Sequence, residues 1–167
     1  MFRKRKPAKT VPEQEPKPVN LPPISLDGSF FENKKDPKQM STLSLAFMGD
    51  AVFEVLTRSY IVSNNQSAIG NLHSENSEIV NASAQFRAAK LIFDNLTEAE
   101  REVFMRGRNA HTAHTPKNKT AEEYRYATAL ETLFGYLYLS GQTDRLYILF
   151  EMILRDLNER KESQGKG

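Results

Sequence analysis

Residues 45–54 carry the sequence LAFMGDAVFE, a helical pattern in which one acid follows a glycine and another acid stands one turn further on. Spacings of three and four predict that one stripe of this helix faces the core. The residues expected on that stripe are Leu43, Phe47, Asp50, Ala51, Glu54 and Val55. Two carboxylates therefore occupy positions where apolar side chains are expected. A buried carboxylate is costly unless it is paired, hydrogen-bonded or bound to a metal ion, so this stretch predicts a helix that carries a site.

A second helix with an acid on its apolar face is predicted at residues 129–139, ALETLFGYLYL. Glu131 lies there among apolar residues spaced three and four apart. Each of the two helices also has a glycine, Gly49 or Gly135, which permits close approach of backbones. Two helices that each turn an acid inward can supply the hard oxygen ligands that Mg²⁺ prefers. The spacing leaves a second interpretation open, in which each acid pairs locally with an arginine, pairs with a helix N-terminus or takes a position at the edge of the packing.

The remaining patterns are also helical and predict an all-α body. Thr97 and Thr120 each begin a capping box, with a glutamate three residues later, and so mark two helix starts. Gly141 marks a helix end. Further helical runs are expected at residues 41–63, 79–93 and from about 144 to 160. No alternating strand pattern of useful length occurs in the sequence.

Composition divides the chain into three segments. Seven of the eight prolines lie in the first 37 residues, so residues 1–35 are predicted to be a flexible Pro/Lys-rich tail. Residues 36–160 form the predicted helical domain, and residues 161–167 a frayed C-terminus. The net charge of +2 is the balance of +4 over residues 1–40 and −2 over residues 41–167. The body is therefore slightly acidic.

Several classes of protein are excluded by composition. The chain has no cysteine, which excludes a disulfide scaffold and a thiolate metal site. No apolar run approaches the roughly 18 residues of a membrane span. The basic start is not followed by an apolar stretch, so it is not a secretory signal. We expect a cytoplasmic protein with no membrane partner.

The most basic stretch of the body runs from residue 106 to residue 125. Residues 106–119 contain four Lys or Arg and no acid, and several amide and hydroxyl side chains accompany them. Cations with polar donors suit phosphate and sugar contacts, which is how an A-form RNA duplex is mainly bound. An ordinary solvated loop is the other interpretation. The predicted RNA-binding residues are Arg106, Arg108, Asn109, Lys117, Asn118 and Arg125.

Taken together, these blocks resemble the catalytic domain of the ribonuclease III family, in its Mini form. Residues 45–54 and 129–139 are similar to the first and second signature helices of that domain. The segments Arg106–Ala110, Pro116–Asn118 and Tyr124–Tyr126 are similar to the Mini form rather than to the longer enzymes. The resemblance covers about residues 36–160. As in the Mini form, the chain ends soon after the last helix, without room for a separate domain that binds double-stranded RNA.

The resemblance implies a helical bundle like the ribonuclease III catalytic domain and an Mg²⁺-dependent endoribonuclease for double-stranded RNA. It implies a homodimer with one active centre in each subunit. Bacterial members mature the ends of large-subunit (23S) ribosomal RNA, and a ribosomal protein as helper is an open question. Asp50 and Glu131 match the family's metal-binding acids. Glu54 matches an acid common in the Mini form and is expected to take part in catalysis.

Two positions depart from the full-length family pattern. Ala46 and Thr128 stand where acids are usual, so waters and RNA phosphate oxygens would have to fill more metal positions. This departure motivates a second hypothesis, an RNA-binding or ribosome-associated protein with a ribonuclease III fold and no catalysis. A third hypothesis is a helical scaffold for protein–protein contacts, which would leave the acid-free basic loop unexplained.

Overall fold

The structure, a computed structural model, describes residues 35–64, 69–110 and 120–164, and all regular secondary structure in these ranges is helical. This confirms the all-α prediction. A short 3₁₀ turn, Pro37–Gln39, precedes the first α-helix. The six α-helices are α1 (Thr42–Asn64), α2 (Ile69–Val80), α3 (Ala82–Phe93), α4 (Glu98–Arg108), α5 (Ala121–Leu139) and α6 (Thr143–Gln164). The predicted tail at residues 1–35 lies outside the described residues, except for Lys35.

Both predicted capping boxes are present. The Thr97 hydroxyl accepts from the Glu100 backbone N–H while the Glu100 carboxylate accepts from the Thr97 backbone N–H. Thr120 and Glu123 make the same reciprocal pair at the start of α5. Gly141 follows α5 with φ of +69°, a left-handed conformation that favours glycine. These local signals place α4 and α5 within a residue of their expected starts.

The long helix α5 is the centre of the domain. It packs against α1, α3 and α4, and nearly all of its residues from Ala127 to Leu137 are buried. Phe53 of α1 joins this core to α6, since its ring lies 5.5 Å from that of Phe134 and 5.7 Å from that of Phe150, both edge-on. α5 therefore holds Glu131 on the most constrained element of the fold.

The predicted packing stripe of α1 is wrong. Leu43, Phe47 and Val55 are 52%, 83% and 43% exposed, and Asp50 is exposed with them. The buried side of α1 is formed by Leu45, Ala46, Gly49, Val52, Phe53, Leu56, Thr57 and Ile61. The reason is that α1 is apolar around most of its circumference, so spacings of three and four occur on both sides. The sequence pattern alone could not select the correct side.

The helical run predicted at residues 79–93 is two helices rather than one. Asn81 separates α2 from α3, with its side-chain oxygen accepting from the Ala84 backbone N–H at 2.9 Å. Its amide nitrogen donates to the Ser77 and Glu78 carbonyls at 3.0 and 2.9 Å. One side chain thus satisfies the end of one helix and the start of the next.

The last helix extends beyond the predicted boundary at residue 161. α6 continues to Gln164 because charged neighbours support its final turns. Arg160 pairs with Asp156 at 2.7 Å, and Lys161 lies 3.7 Å from Glu75 and 3.9 Å from Glu78 of α2. In the part of the chain that the structure describes, no helix combines the length and the apolar character needed to cross a membrane.

Candidate active site at the crossing of α1 and α5

The two acid-bearing helices touch through their backbones. A Cβ atom placed on Gly49 would overlap the carbonyl oxygen of Glu131 and would lie 2.7 Å from the backbone nitrogen of Gly135. A Cβ atom on Gly135 would overlap the carbonyl oxygen of Leu45. Only glycine fits at both positions, as the sequence predicted for a close crossing. At the crossing, the backbone of Glu131 therefore lies against Gly49, the residue that precedes Asp50.

Asp50 lies on the exposed side of this crossing, with its carboxyl partly desolvated by neighbouring protein atoms. Burial raises the pKa of Asp50 above its ordinary value of 3.8, and the negative charge of Glu54 raises it further. Two carboxylates that repel each other at the surface are a favourable environment for a cation. Asp50 thus has a second acid, Glu54, near it, although it is not on the buried stripe. A site shared with Glu131 stays a prediction.

Glu54 is held by side chains from two helices. Its Oε2 atom accepts a hydrogen bond from Arg58 Nε at 2.7 Å and another from Asn76 Nδ2 of α2 at 3.1 Å. The Glu54 side chain is 29% exposed. The carboxylate is therefore fixed in a half-buried position one turn after Asp50, where its charge acts on that acid.

The acid set remains small in the structure. Glu131 is half-buried on α5. Ala46 and Thr128, which replace the usual acids, are 7% and 5% exposed, and the Thr128 hydroxyl donates to the Tyr124 carbonyl at 3.0 Å. Within residues 35–64, 69–110 and 120–164, no group of three or more His, Cys, Asp or Glu residues has the arrangement of a complete metal site. Asp50 and Glu131 carry carboxylate oxygens, the hard donors that a divalent cation such as Mg²⁺ prefers.

Arg106 has a structural partner that the sequence did not indicate. Its guanidinium donates to the Lys38 carbonyl at 2.9 Å and to the Met40 carbonyl at 3.5 Å, so it attaches the 3₁₀ turn to the end of α4. Its Nε atom is buried with no hydrogen-bond partner among the described residues. The predicted RNA-binding role of Arg106 thus competes with a role in anchoring the turn before α1.

The other predicted RNA-binding residues divide into two groups. Arg108 stacks over the ring of Tyr126, with 5.1 Å from its guanidinium carbon to the ring centroid. Asn109 caps the C-terminal end of α4 and is exposed. Arg125 is exposed, and its Nε atom donates to the Ala121 carbonyl at 3.1 Å. The second group, Lys117 and Asn118, lies outside the described residues.

The sequence analysis missed two residues of this region. Asn76 was not identified, although it occupies the buried side of α2 together with Ile79, three residues later. A polar residue on an apolar face was the signal that identified Asp50, and it applied to Asn76 as well. Lys90, which lies 4.7 Å from the ring centroid of Phe86 and 5.6 Å from that of Tyr126, adds a cation near Arg108. Its position depends on contacts between α3 and α5 that no local pattern encodes.

Comparisons with known proteins identify the relatives of this chain. The model of the Ribonuclease III domain matches residues 43–142. The Mini-ribonuclease 3 of Clostridium tetani is 38% identical over 80% of this chain and 89% of its own, and that of a Thermoanaerobacter species is 39% identical over 78% and 95%. The X-ray crystal structure of a protein from Fusobacterium nucleatum is 31% identical, with a TM-score of 0.66 over 73% of this chain and 98% of that one.

The helical fold, together with the matched domain and relatives, identifies a catalytic domain of the ribonuclease type. The chain belongs to the ribonuclease III family, in its Mini-ribonuclease III form. This confirms the resemblance identified from the two signature helices. Family membership favours an enzyme over the binding-only and scaffold hypotheses.

Proposed function

We propose that this endoribonuclease of the ribonuclease III family cleaves double-stranded RNA with Mg²⁺ bound by Asp50 and Glu131. Enzymes of the family act on double-stranded RNA and depend on a metal ion. The observation that carries the proposal is the backbone contact of Gly49 with Glu131, which places the two acid-bearing helix segments side by side. We further propose that the substrate is a precursor of 23S ribosomal RNA in the cytoplasm, and a ribosomal protein that assists binding is part of this hypothesis.

In the proposed reaction, Asp50 and Glu131 would hold the ion through their carboxylate oxygens. The ion, when bound, activates a water and stabilises charge on the scissile phosphate. Glu54 lies beside Asp50, and its negative charge favours cation binding at that acid. Because Ala46 and Thr128 supply no carboxylate, the RNA phosphate would complete the set of oxygen ligands.

The RNA interface is proposed to lie on the basic stretch from residue 106 to residue 125. Arg108, Asn109 and Arg125 are available there, and Lys117 and Asn118 remain predictions from the sequence. Cations of this kind position a duplex through its phosphates without reading its sequence. Arg106 is the weakest member of this set, because its guanidinium is already engaged by two backbone carbonyls.

A homodimer is part of the proposal. Leu43, Phe47, Ala51 and Val55 follow one another at intervals of four, and all four are on the exposed side of α1. Phe47 alone is 83% exposed. A continuous apolar stripe of this kind is typical of a face covered by a partner. If a second copy covers it, Phe47→Asp should give a monomer in analytical ultracentrifugation, and a monomeric native protein would refute the dimer.

Cleavage of a structured RNA duplex with and without Mg²⁺ tests the proposed function. Asp50→Asn and Glu131→Gln keep the size of each side chain and remove the negative charge. The cleavage rate of each variant is expected to fall by at least about 10²–10³-fold. Removing a group that stabilises transition-state charge has an effect of this size. EDTA should abolish the wild-type activity. Undiminished cleavage by both variants would refute the assignment of these acids.

A further inference from the structure

Asn76 is a buried polar residue of α2. It is 8% exposed and shares the buried side of α2 with Ile79. Its Nδ2 atom donates to Glu54 Oε2 at 3.1 Å, while its Oδ1 atom is buried with no hydrogen-bond partner in the described parts of the chain. Such a residue costs free energy that an apolar side chain of similar size would avoid, so its presence requires an explanation.

The orientation of this amide is fixed by chemistry. Amide nitrogen and oxygen atoms are distinguished by their hydrogen-bond partners. If the amide were flipped, its oxygen would face the carboxylate oxygen of Glu54, and two acceptors would repel each other. Asn76 must therefore donate to Glu54, and the unpartnered oxygen is the consequence of that single bond.

The two groups that hold Glu54 constrain it differently. The Arg58 side chain is long and 58% exposed. Its guanidinium can therefore leave the Glu54 carboxylate for solvent at little cost in free energy. Asn76 is short, buried and carried by another helix. Its bond therefore fixes the carboxylate relative to the junction of α1 and α2, independently of the surface arginine.

We infer that Asn76 is a positioning residue that holds the Glu54 carboxylate in place beside Asp50. This inference rests on the proposed function, because it assigns to α2 a role in arranging the acids that receive the metal ion. A donor that orients an acidic group near a metal site typically changes metal affinity by 10–100-fold when it is removed. The amide is neutral, so it orients Glu54 while leaving the negative charge at the site.

The test is calorimetric titration of the intact, RNA-free protein with Mn²⁺, used as a probe of the Mg²⁺ site. Asn76→Leu fills the same buried space without a donor and is expected to weaken Mn²⁺ binding by about 10-fold. Its thermal unfolding midpoint without metal should equal or exceed that of the wild type, because the unpartnered oxygen is gone. If Leu does not fit, Asn76→Ala removes the donor without adding volume and should weaken binding to the same degree.

Asn158→Leu is the matched control. Asn158 also joins α1 to another helix, since its Oδ1 atom accepts a hydrogen bond from the Tyr60 hydroxyl at 3.1 Å, but no acid is involved in that bond. This control should leave Mn²⁺ affinity within about 2-fold of wild type. An equal loss in the Asn76 and Asn158 variants would show a general effect of helix packing and would overturn the positioning role.

A double-mutant cycle identifies the route of the effect. If Asn76 acts through Glu54, Asn76→Leu should cause no further loss of Mn²⁺ affinity in a Glu54→Gln background. Additive losses would overturn the inference. Asp50→Asn separates the two proposals: Mn²⁺ binding that does not respond to this change refutes the metal site itself. Binding that responds to Asp50→Asn but not to Asn76→Leu refutes only the positioning role.

Discussion

Two carboxylates of this protein have pKa values shifted in opposite directions. Glu100 lies at the start of α4, and Asp50 lies at the crossing of α1 and α5. Glu100 is 4% exposed, and burial alone would raise its pKa. Hydrogen bonds from Arg145 and Thr97 outweigh burial and lower the pKa of Glu100 below its ordinary value of 4.5. Asp50 is exposed, yet partial burial of its carboxyl and the charge of Glu54 raise its pKa.

The contacts explain this difference. Arg145 Nε and Nη2 donate to the two carboxylate oxygens of Glu100 at 2.7 and 2.9 Å, and Arg145 also donates to the Asn95 carbonyl. The charge of Glu100 is thus balanced inside the chain and supports folding. At the crossing, two acids stand close to each other, and a cation from outside would relieve their repulsion. Glu100 therefore has the contacts of an acid that supports folding, whereas Asp50 lies beside a second negative charge.

The largest expected effect on stability comes from a substitution that forces α1 and α5 apart at their crossing. Gly49→Ala places a methyl group into the backbone of Glu131, so the helices must separate. We expect a loss of more than about 3 kcal/mol in the free energy of unfolding, above the usual cost of overpacking. Urea unfolding measures this. Gly70→Ala in α2 is the control, since its Cβ would have no atom within 4 Å, and it should stabilise by about 0.5–1 kcal/mol. Equal effects would refute the close crossing.

Removing the charge of Glu100 should have the next largest effect on stability. Glu100→Gln leaves Arg145 without a counter-charge, and the Arg145 side chain is only 26% exposed. We expect a loss of about 2–3 kcal/mol in the free energy of unfolding, less than for a fully buried pair because Arg145 is partly solvated. The cleavage rate of the folded protein should not change. A variant as stable as the wild type would contradict the assigned role of this pair.

The contribution of Glu100 should depend on pH in a defined direction. Since its pKa is lowered in the folded state, its stabilisation is fully present above about 4.5 and is lost as the pH falls through the folded value. The stability difference between wild type and Glu100→Gln should therefore shrink between about pH 6 and pH 3. Urea unfolding over this range checks the prediction. A difference that grows on acidification would have the wrong sign.

The smallest expected effect is the change in folding stability when Asp50 is substituted. A raised pKa in the folded state means that the ionised carboxylate costs stability above that pKa, and the cost disappears as the pH falls towards 3.8. Asp50→Asn should therefore be as stable as the wild type at neutral pH, or more stable by about 0.5 kcal/mol or less. Thermal unfolding without metal tests this. A clear destabilisation would indicate that Asp50 serves folding, as Glu100 does.

Local sequence signals predicted much of the fold. The capping boxes at Thr97 and Thr120 act within one helical turn, so their residues suffice to place α4 and α5. Two glycines also predicted the crossing correctly, Gly49 directly before Asp50 and Gly135 one turn after Glu131. Backbone contact between helices leaves few other residue types possible. These features depend on neighbours in the chain or on a strict steric limit.

Other features could not be predicted because they depend on distant contacts. The apolar residues of α1 continue around the helix, so only the position of α5 decides that Leu45 is buried and Phe47 exposed. Arg145 lies 45 positions from Glu100, and Asn76 lies 22 positions from Glu54. The engagement of Arg106 by the turn before α1 is equally non-local. Pairing across such separations is decided by helix packing rather than by spacing.

The most direct test of the account is the single-turnover rate of RNA duplex cleavage at saturating Mg²⁺, compared between Glu131→Gln and Glu100→Gln. Both variants replace a glutamate by its amide, and both are measured at a temperature where each is folded. The account predicts a loss of at least about 10²-fold for Glu131→Gln and a rate within about 3-fold of wild type for Glu100→Gln. Equal rates in the two variants would contradict the claim that the acids at the glycine crossing carry the reaction.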